Sequence, residues 1–515
     1  MTRKNFTPNV SRSQDFNNFL SAQSRPVPSL QPIHDWFDIQ GWEPLPFQSQ
    51  TWEAYLEGRS GLIQVPTGSG KTFAAVMGPI ARMLQQKPAQ KGIQLLYITP
   101  LRALSRDLAL AIREPIEAMK WPIRVGTRNG DSSSSERSRQ LKSPPEILVT
   151  TPESLTLLLS NPKAEDLFAA LDTVVLDEWH ELMGSKRGSQ TELCLSWLRQ
   201  HRPSLQTWAI SATIGNLEQA GRHALGTEGK PLIVGGAPVR VTEIHSILPD
   251  SIDGFPWAGH LGLRMYEELV ARLNPGVSTL LFTNTRNQSE RWHQCLRFAC
   301  PEMDDALALH HSAIDRSERE AIEAAVKSGS IRWVVCTSSL DLGVDFQPVE
   351  QVVQIGSPKN LARLLQRAGR SAHLPGGTSQ VLFMPTNALE LLELSAVRRG
   401  LGEGLVEQRK PPMAPLDVLL QHLTSLACGP GLEPETSYDA VRSSAAYADL
   451  GRDDWDWCLK FLEQGGDCLG AYPRYRKLEW DGESERFRVR EKAIARLHRL
   501  NVGTITAAPS ITVRF

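Results

Sequence analysis

The chain has no C-x-x-C pair, no apolar run long enough to cross a bilayer and almost no net charge, and each absence removes a class of function. Its 7 cysteines (Cys194, Cys295, Cys300, Cys336, Cys428, Cys458 and Cys468) are scattered through 515 residues. That spread argues against both a zinc ribbon and a disulfide framework and leaves ordinary buried or surface thiols. No stretch approaches the ~18 uninterrupted apolar residues of a membrane-spanning helix, so no membrane partner is expected. The opening MTRKNFTPNVSRSQDFNNFLSAQSRP is polar and lacks the apolar segment of a secretory signal. Residues 1–30 therefore read as a polar tail, and a cytoplasmic location is expected. A formal charge of -1 excludes a globally basic coat for nucleic acid while leaving room for a local basic groove.

What is present is a globular composition, 41% apolar and 22% charged, in a chain longer than one core usually supports. Short Val/Ile/Leu-rich runs alternate with helical stretches: GLIQV, LLYIT, ILVTT, TVVLD and TWAIS, then TLLFT, RWVVC, QVVQIG and QVLFM. Continuous apolar runs between turn residues are what strands buried on both faces require, and the intervening helices supply the crossovers. This predicts an α/β protein with two parallel-sheet domains, residues 31–235 and 236–400, joined near IVGGAPVRV. Residues 401–515 read as helices followed by a hairpin in RKLEWDGESERFRVR, with Asp481-Gly482 as its turn. The final TITAAPSITVRF stops in strand-like residues, as though a longer protein continued beyond it.

The stretch GLIQVPTGSGKT sets Thr67, Gly68, Ser69, Gly70, Lys71 and Thr72 between a strand and the apolar helix FAAVMGPIARML. Backbone N–H groups of such a loop converge on phosphate oxygens, helped by the helix N-terminus. Lys71 would reach the β/γ-phosphates of ATP and the Thr72 hydroxyl would hold Mg²⁺. Val65 stands where the usual pattern has its first glycine, and an ordinary strand-to-helix turn is the plain alternative. Downstream, TVVLDEWHELMGSKRG places Asp177 and Glu178 at the end of a second buried strand. At that distance from a P-loop, Asp177 is a candidate second Mg²⁺ ligand and Glu178 a candidate base for the attacking water. A zinc-peptidase reading of HELMG fails because Gly184 stands where a second histidine is needed.

With these motifs in place, Asp177-Glu178-Trp179-His180 resembles the DExH box of superfamily 2 helicases, and other motifs follow in that family's order. Phe47-Gln48 resembles its adenine-reading element; TPLRAL, TTPESL and SAT resemble first-domain motifs; LLFTNTR, CTSSLDLGVD and QRAGRSAH resemble second-domain motifs. In DEWHELMGSKRG, HHSAIDRSERE and the segment after residue 400 the chain more narrowly resembles the large helicase-related (Lhr) type, especially its bacterial ligase-associated branch. The resemblance implies two RecA-like P-loop domains followed by a winged-helix-like α+β domain. It also implies that His180, Gly343 and Asp345 approach the nucleotide and that Gln366 helps to place the water. Arg367 and Arg370 would act as arginine fingers, while Ser211-Ala212-Thr213 would sense hydrolysis. His373 departs from the family, where many members carry a third arginine.

For nucleic acid, Arg102, Thr151, Thr283, Arg286 and Thr337 fall at strand or helix ends, where they are candidate phosphate ligands, although such residues also cap loops. Arg474, Arg476, Lys477, Arg486, Arg488 and Arg490 interleave with Tyr472, Tyr475, Trp480 and Phe487, which suits either a stacking surface or a small hairpin core. The expectation is a monomeric ATP- and Mg²⁺-dependent helicase or translocase. It would track 3′ to 5′ along single-stranded DNA on DNA-containing duplexes, with a C-terminal domain fixed beside the second RecA-like unit as a brake. A repair role beside a ligase and a nuclease is implied by the resemblance alone. The rivals are a remodelling translocase without net unwinding and a nucleotide-switched binding subunit.

Overall fold

The computed structural model describes residues 30–65, 69–85, 91–212, 214–236, 242–248, 255, 257, 261–341, 349–371, 379–405, 407–466, 472 and 475–503. The first sheet contains β1 (Gly61–Gln64), β2 (Leu95–Ile98), β3 (Val125–Arg128), β4 (Ile147–Thr150), β5 (Thr173–Leu176), β6 (Gln206–Ser211) and β7 (Leu232–Val234). All are parallel, in the order β3-β4-β2-β5-β6-β1-β7. The second sheet contains β8 (Thr242–Ser246), β9 (Thr279–Phe282), β10 (Leu307–His310), β11 (Trp333–Cys336), β12 (Gln351–Ile355) and β13 (Ser379–Met384). It is also parallel, in the order β10-β11-β9-β12-β13-β8. The nine apolar runs form the interiors of both sheets. The four strands that carry no such run, β3, β7, β8 and β10, are the four edges.

The C-terminal domain is winged-helix-like. Helices Leu416–Cys428, Pro434–Arg442 and Arg452–Gln464 precede an antiparallel hairpin of β14 (Leu478–Asp481) and β15 (Arg486–Val489), and helix Lys492–Asn501 follows it. The hairpin turn spans four residues, because Asp481 pairs with Arg486. Its left-handed residue is Glu485, at φ 51°, rather than Gly482. Asp481 closes the loop by accepting from Glu483 N at 3.1 Å and Ser484 Oγ at 2.6 Å. The Asp-Gly pair starts this turn without completing it.

The expected position of this domain is also corrected, since it packs on the first RecA-like domain and not beside the second. Val418, Leu419, Leu423, Trp455 and Leu462 share one core with Leu158, Leu195 and Trp197. The physical reason lies in helix Lys186–His201, where every residue from Gly188 to Leu198 is buried. Its apolar residues Leu193, Leu195, Trp197 and Leu198 and its polar Ser189, Gln190, Thr191 and Glu192 are all covered, by helices Pro152–Leu159 and Trp179–Met183 of its own domain and by helices Leu416–Cys428 and Pro434–Arg442. Glu192, buried in that helix, accepts from Ala446 N at 2.9 Å and meets His223 Nδ1 at 2.8 Å, which pins the interface. Among the described residues no helix is long and apolar enough to cross a membrane.

Candidate active site and nucleic-acid interface

β1 and β5 end at the same edge of the first sheet with only β6 between them, so the segments that follow them meet. Beyond β1, Gly70 sits at φ 79°, and a Cβ there would come within 2.7 Å of Gln48 Nε2. Glycine thus serves both the left-handed backbone and the close approach. Gln48, buried in helix Pro46–Leu56, donates to Gly70 O at 3.0 Å and accepts from Leu45 N at 2.8 Å. In this state it tethers the phosphate loop. Ser69 and Thr72 are half-buried on either side of Lys71, while Thr67 and Gly68 lie outside the described residues.

Beyond β5, Glu178 occupies φ 45°, ψ 45°, a left-handed conformation that strains a side-chain-bearing residue by ~1–3 kcal/mol. Asp177 Oδ1 braces it by accepting from Glu178 N at 3.0 Å. Lys71 Nζ forms a short ion pair with Glu178 Oε1. Burial, and then Glu178, push the Asp177 carboxyl up to about 7 against the pull of Lys71. Burial works on Glu178 in the same direction, but Lys71 and His180, with Arg370 adding from the second domain, hold it below the ordinary carboxylate range. Among the described residues Glu178 Oε2 and Ser211 Oγ are buried without a hydrogen-bond partner. A buried carboxylate that resists ionising, an orphaned carboxylate oxygen and a displaceable lysine fit Mg²⁺ and a nucleotide phosphate, which would compensate all three.

The second domain closes this site through helix Leu361–Ala368. Gln366 Nε2 lies 3.2 Å from His180 Nε2 across the cleft. Burial lowers the His180 pKa, so the ring is neutral and its Nε2 accepts from the amide. The two arginines differ. Arg367 is 1% exposed and grips Asp341 at 2.7 and 3.2 Å, donates to Gln354 and lies 4.6 Å over the Phe282 ring, all within its own domain. Arg370 donates to Asp341 O at 3.0 Å and contributes to the field at Glu178. Gly343, Asp345, Thr213 and His373 lie outside the described residues.

Away from the phosphate site, the two RecA-like domains and the two residues after the last helix line an open cavity of about 920 Å³. Arg102, Thr151 and Thr337 line it. Arg286 reaches it indirectly by donating to the lining residue Ser312 at 2.8 Å. Thr283 does not, being fully buried with its hydroxyl on Cys336 O at 3.2 Å. The described basic and aromatic residues of the hairpin region are absent from the lining, where the C-terminal contribution is Val502 and Gly503. Arg488 is turned to Asp481 and Trp480 packs edge-on to Phe487, which is the small hairpin core.

Sequence reasoning missed Arg187 and Glu153, which pair at 2.6 Å in the cavity wall. Burial would raise the Glu153 carboxyl, but Arg187 outweighs it and holds the carboxyl low. A signal existed: Lys186 and Arg187 open a helix, where the dipole disfavours cations unless carboxylates answer them. Asp417 and Glu153 are those carboxylates.

Comparison with known proteins agrees with this architecture. Residues 45–220 match the family model of DEAD/DEAH box helicases, residues 263–374 that of the helicase conserved C-terminal domain, and residues 399–515 that of the large helicase-related protein winged helix domain. The chain is 32% identical to the ATP-dependent helicase Lhr-Core protein 2 of Thermococcus barophilus over 94% of its own length and 58% of that protein. It is 30% identical to the Lhr helicase/uracil glycosylase of Escherichia coli over 87% of its length and 33% of that protein. The chain thus spans little more than half of the first relative and a third of the second. The structure of Mycobacterium smegmatis helicase Lhr bound to ssDNA and AMP-PNP has a TM-score of 0.81 and 29% identity, over 95% of this chain and 63% of that one. Two helicase domains and an Lhr-type winged helix in this order, with these relatives, place the chain in the large helicase-related (Lhr) family of DEAD/DEAH box helicases.

Proposed function

We propose that the chain is a nucleic-acid-stimulated ATPase that moves 3′ to 5′ along single-stranded DNA and opens DNA-containing duplexes. The observation that carries this reading is a single interdomain cleft with two faces. One face joins Lys71 and Glu178 to Gln366 and Arg370; the other is a cavity walled by all three domains. Thr72 and Asp177 would hold Mg²⁺, which supplies neutralisation of phosphate charge. Lys71 turns from Glu178 to the β/γ-phosphates, and the freed carboxylate orients water and takes its proton. Gln366 and Arg370 complete the site only when the domains close, which couples turnover to the grip on the strand.

The ssDNA and AMP-PNP named for the mycobacterial Lhr structure support the choice of strand and nucleotide. Polarity, a repair role beside a ligase and a nuclease, a monomeric state and a cytoplasmic location follow from the resemblance. The test uses two labelled duplexes, one with a 3′ single-stranded tail and one with a 5′ tail, at equal protein and moderate salt because phosphate contacts are salt-sensitive. ATP-dependent opening of the 3′-tailed duplex is expected. Opening of the 5′-tailed duplex alone reverses the polarity, and hydrolysis with neither opened makes the chain a remodelling translocase.

A further inference from the structure

Between the second sheet and the C-terminal helices the chain runs as a strap whose last five residues, 411–415, contain Pro411, Pro412 and Pro415. Each proline fixes φ and removes a backbone donor, so the segment is stiff. Its far end is anchored: Ala414 sits at φ 42° and donates to Ala446 O at 2.8 Å, and Tyr447 Oη donates to Pro415 O at 2.9 Å.

At its near end, Glu407 touches both RecA-like domains. Its carboxylate accepts from Leu361 N and Ala362 N, the first two amides of the helix that carries Gln366 and Arg367. Asn360 takes the third amide, Arg363 N, at 2.7 Å. Meanwhile Glu407 O accepts from Gly215 N of the first domain at 3.3 Å. Two residues on, Asn216 clasps Arg409 through both its N–H, at 3.1 Å, and its C=O, at 2.8 Å. The Arg409 guanidinium lies 3.5 Å from Glu181, three residues past Glu178.

We propose that Glu407 and Arg409 are positioning residues for ATP hydrolysis, joining the strap to both rims of the cleft and setting helix Leu361–Ala368 in register with the Glu178–His180 turn. A carboxylate on free helix amides is held by hydrogen bonds and by the dipole. The cleft therefore opens only by breaking that contact or the Asn216 clasp. Because the strap ends in the winged-helix-like domain, the position of that domain enters the geometry of hydrolysis. This inference rests on the cleft being the ATPase site.

The test compares Glu407→Ala, which removes both acceptors, with Glu407→Gln, which keeps one, in the full chain. Stimulated kcat should fall about tenfold in the alanine variant and less in the glutamine variant, in line with loss of charge-assisted bonds. AMP-PNP affinity without DNA and the melting temperature should hold. A second arm measures the distance between labels on unnatural residues at exposed Ser135 and Phe298, with AMP-PNP bound; Glu407→Ala should broaden the closed-state distribution. Wild-type kcat and an unchanged distribution in Glu407→Ala overturn the proposal. So does an equal kcat loss in both variants with a lowered melting temperature, which would mark simple structural support. A wild-type chain without nucleic-acid stimulation overturns the functional reading instead, and the distance arm still decides the strap.

Discussion

The two faces of the interdomain cleft handle charge in opposite ways. On the nucleotide face the charges are buried and already matched, Lys71 with Glu178 and Arg367 with Asp341. On the channel face they are largely exposed and mixed in sign, Arg102 with Asp131 at 3.3 Å and Arg106 with Glu320 at 2.7 Å. Breaking a buried pair by removing one partner costs about 3–5 kcal/mol, whereas an exposed pair is worth roughly 0–1 kcal/mol. On the proposed function the nucleotide face would therefore work by exchange of defined partners. The channel face would trade weak pairs for phosphates at every step, which suits a strand that must slide.

The largest expected effect is at Glu178. Glu178→Gln should lower stimulated turnover by about 10²–10⁴-fold, as loss of a general base does. Nucleotide should bind at least as tightly as in the wild type, because Lys71 no longer has to leave an ion pair. Lys71→Ala should lose binding and turnover together. Steady-state ATPase and titration with a fluorescent nucleotide separate the two, and normal turnover in folded Glu178→Gln protein would break the exchange picture.

Next come the two arginines, which the motif treats alike and the fold does not. Arg367→Ala leaves buried Asp341 with Arg363 alone, at 3.3 Å, and should destabilise the second domain by up to about 3–5 kcal/mol, visible as a lower melting temperature. Arg370→Ala should keep the melting temperature close to wild type and lose stimulated turnover by a factor on the order of 10³, the scale of a lost arginine finger. Thermal melts beside ATPase assays decide it. If Arg370→Ala melts early and Arg367→Ala folds normally but is inactive, the roles are reversed.

The same contrast explains what the sequence could convey. Interior strands are continuous apolar runs, so β1, β2, β4, β5 and β6 were legible, while β3, half-exposed throughout, and β8, alternating toward solvent, had no such run. That Lys71, Asp177 and Glu178 meet was legible, because a phosphate loop and an acidic pair at strand ends are residue types at fixed spacing. The inequality of Arg367 and Arg370 was not, since it depends on Asp341 and Gln354 folding beneath one guanidinium. Nor was the left-handed backbone at Glu178, which a neighbour's hydrogen bond sustains. The C-terminal domain was misplaced because helix Lys186–His201 buries Ser189, Gln190, Thr191 and Glu192, residues that read as a solvent face in sequence and give no sign of a docking partner.

The smallest expected effects lie in the channel, and their signs distinguish a phosphate path from a merely polar surface. Arg187→Ala removes a cation from the wall and unpairs Glu153, so affinity for single-stranded DNA should fall by roughly tenfold or less. If Arg187 neutralises a phosphate, the slope of log affinity against log salt should also shallow by about one. Glu320→Gln acts in the opposite direction. It removes an anion from the wall and releases Arg106, whose pair spans the two domains. Affinity should then rise by about two- to fivefold, consistent with the modest worth of an exposed pair. The KM for ATP should change in neither variant, because both residues sit on the far face of the cleft. Fluorescence anisotropy with a labelled oligonucleotide over a salt series reads both. Weaker binding in Glu320→Gln, or an unchanged salt slope in Arg187→Ala, would take the strand out of this cavity and remove the contrast between the two faces.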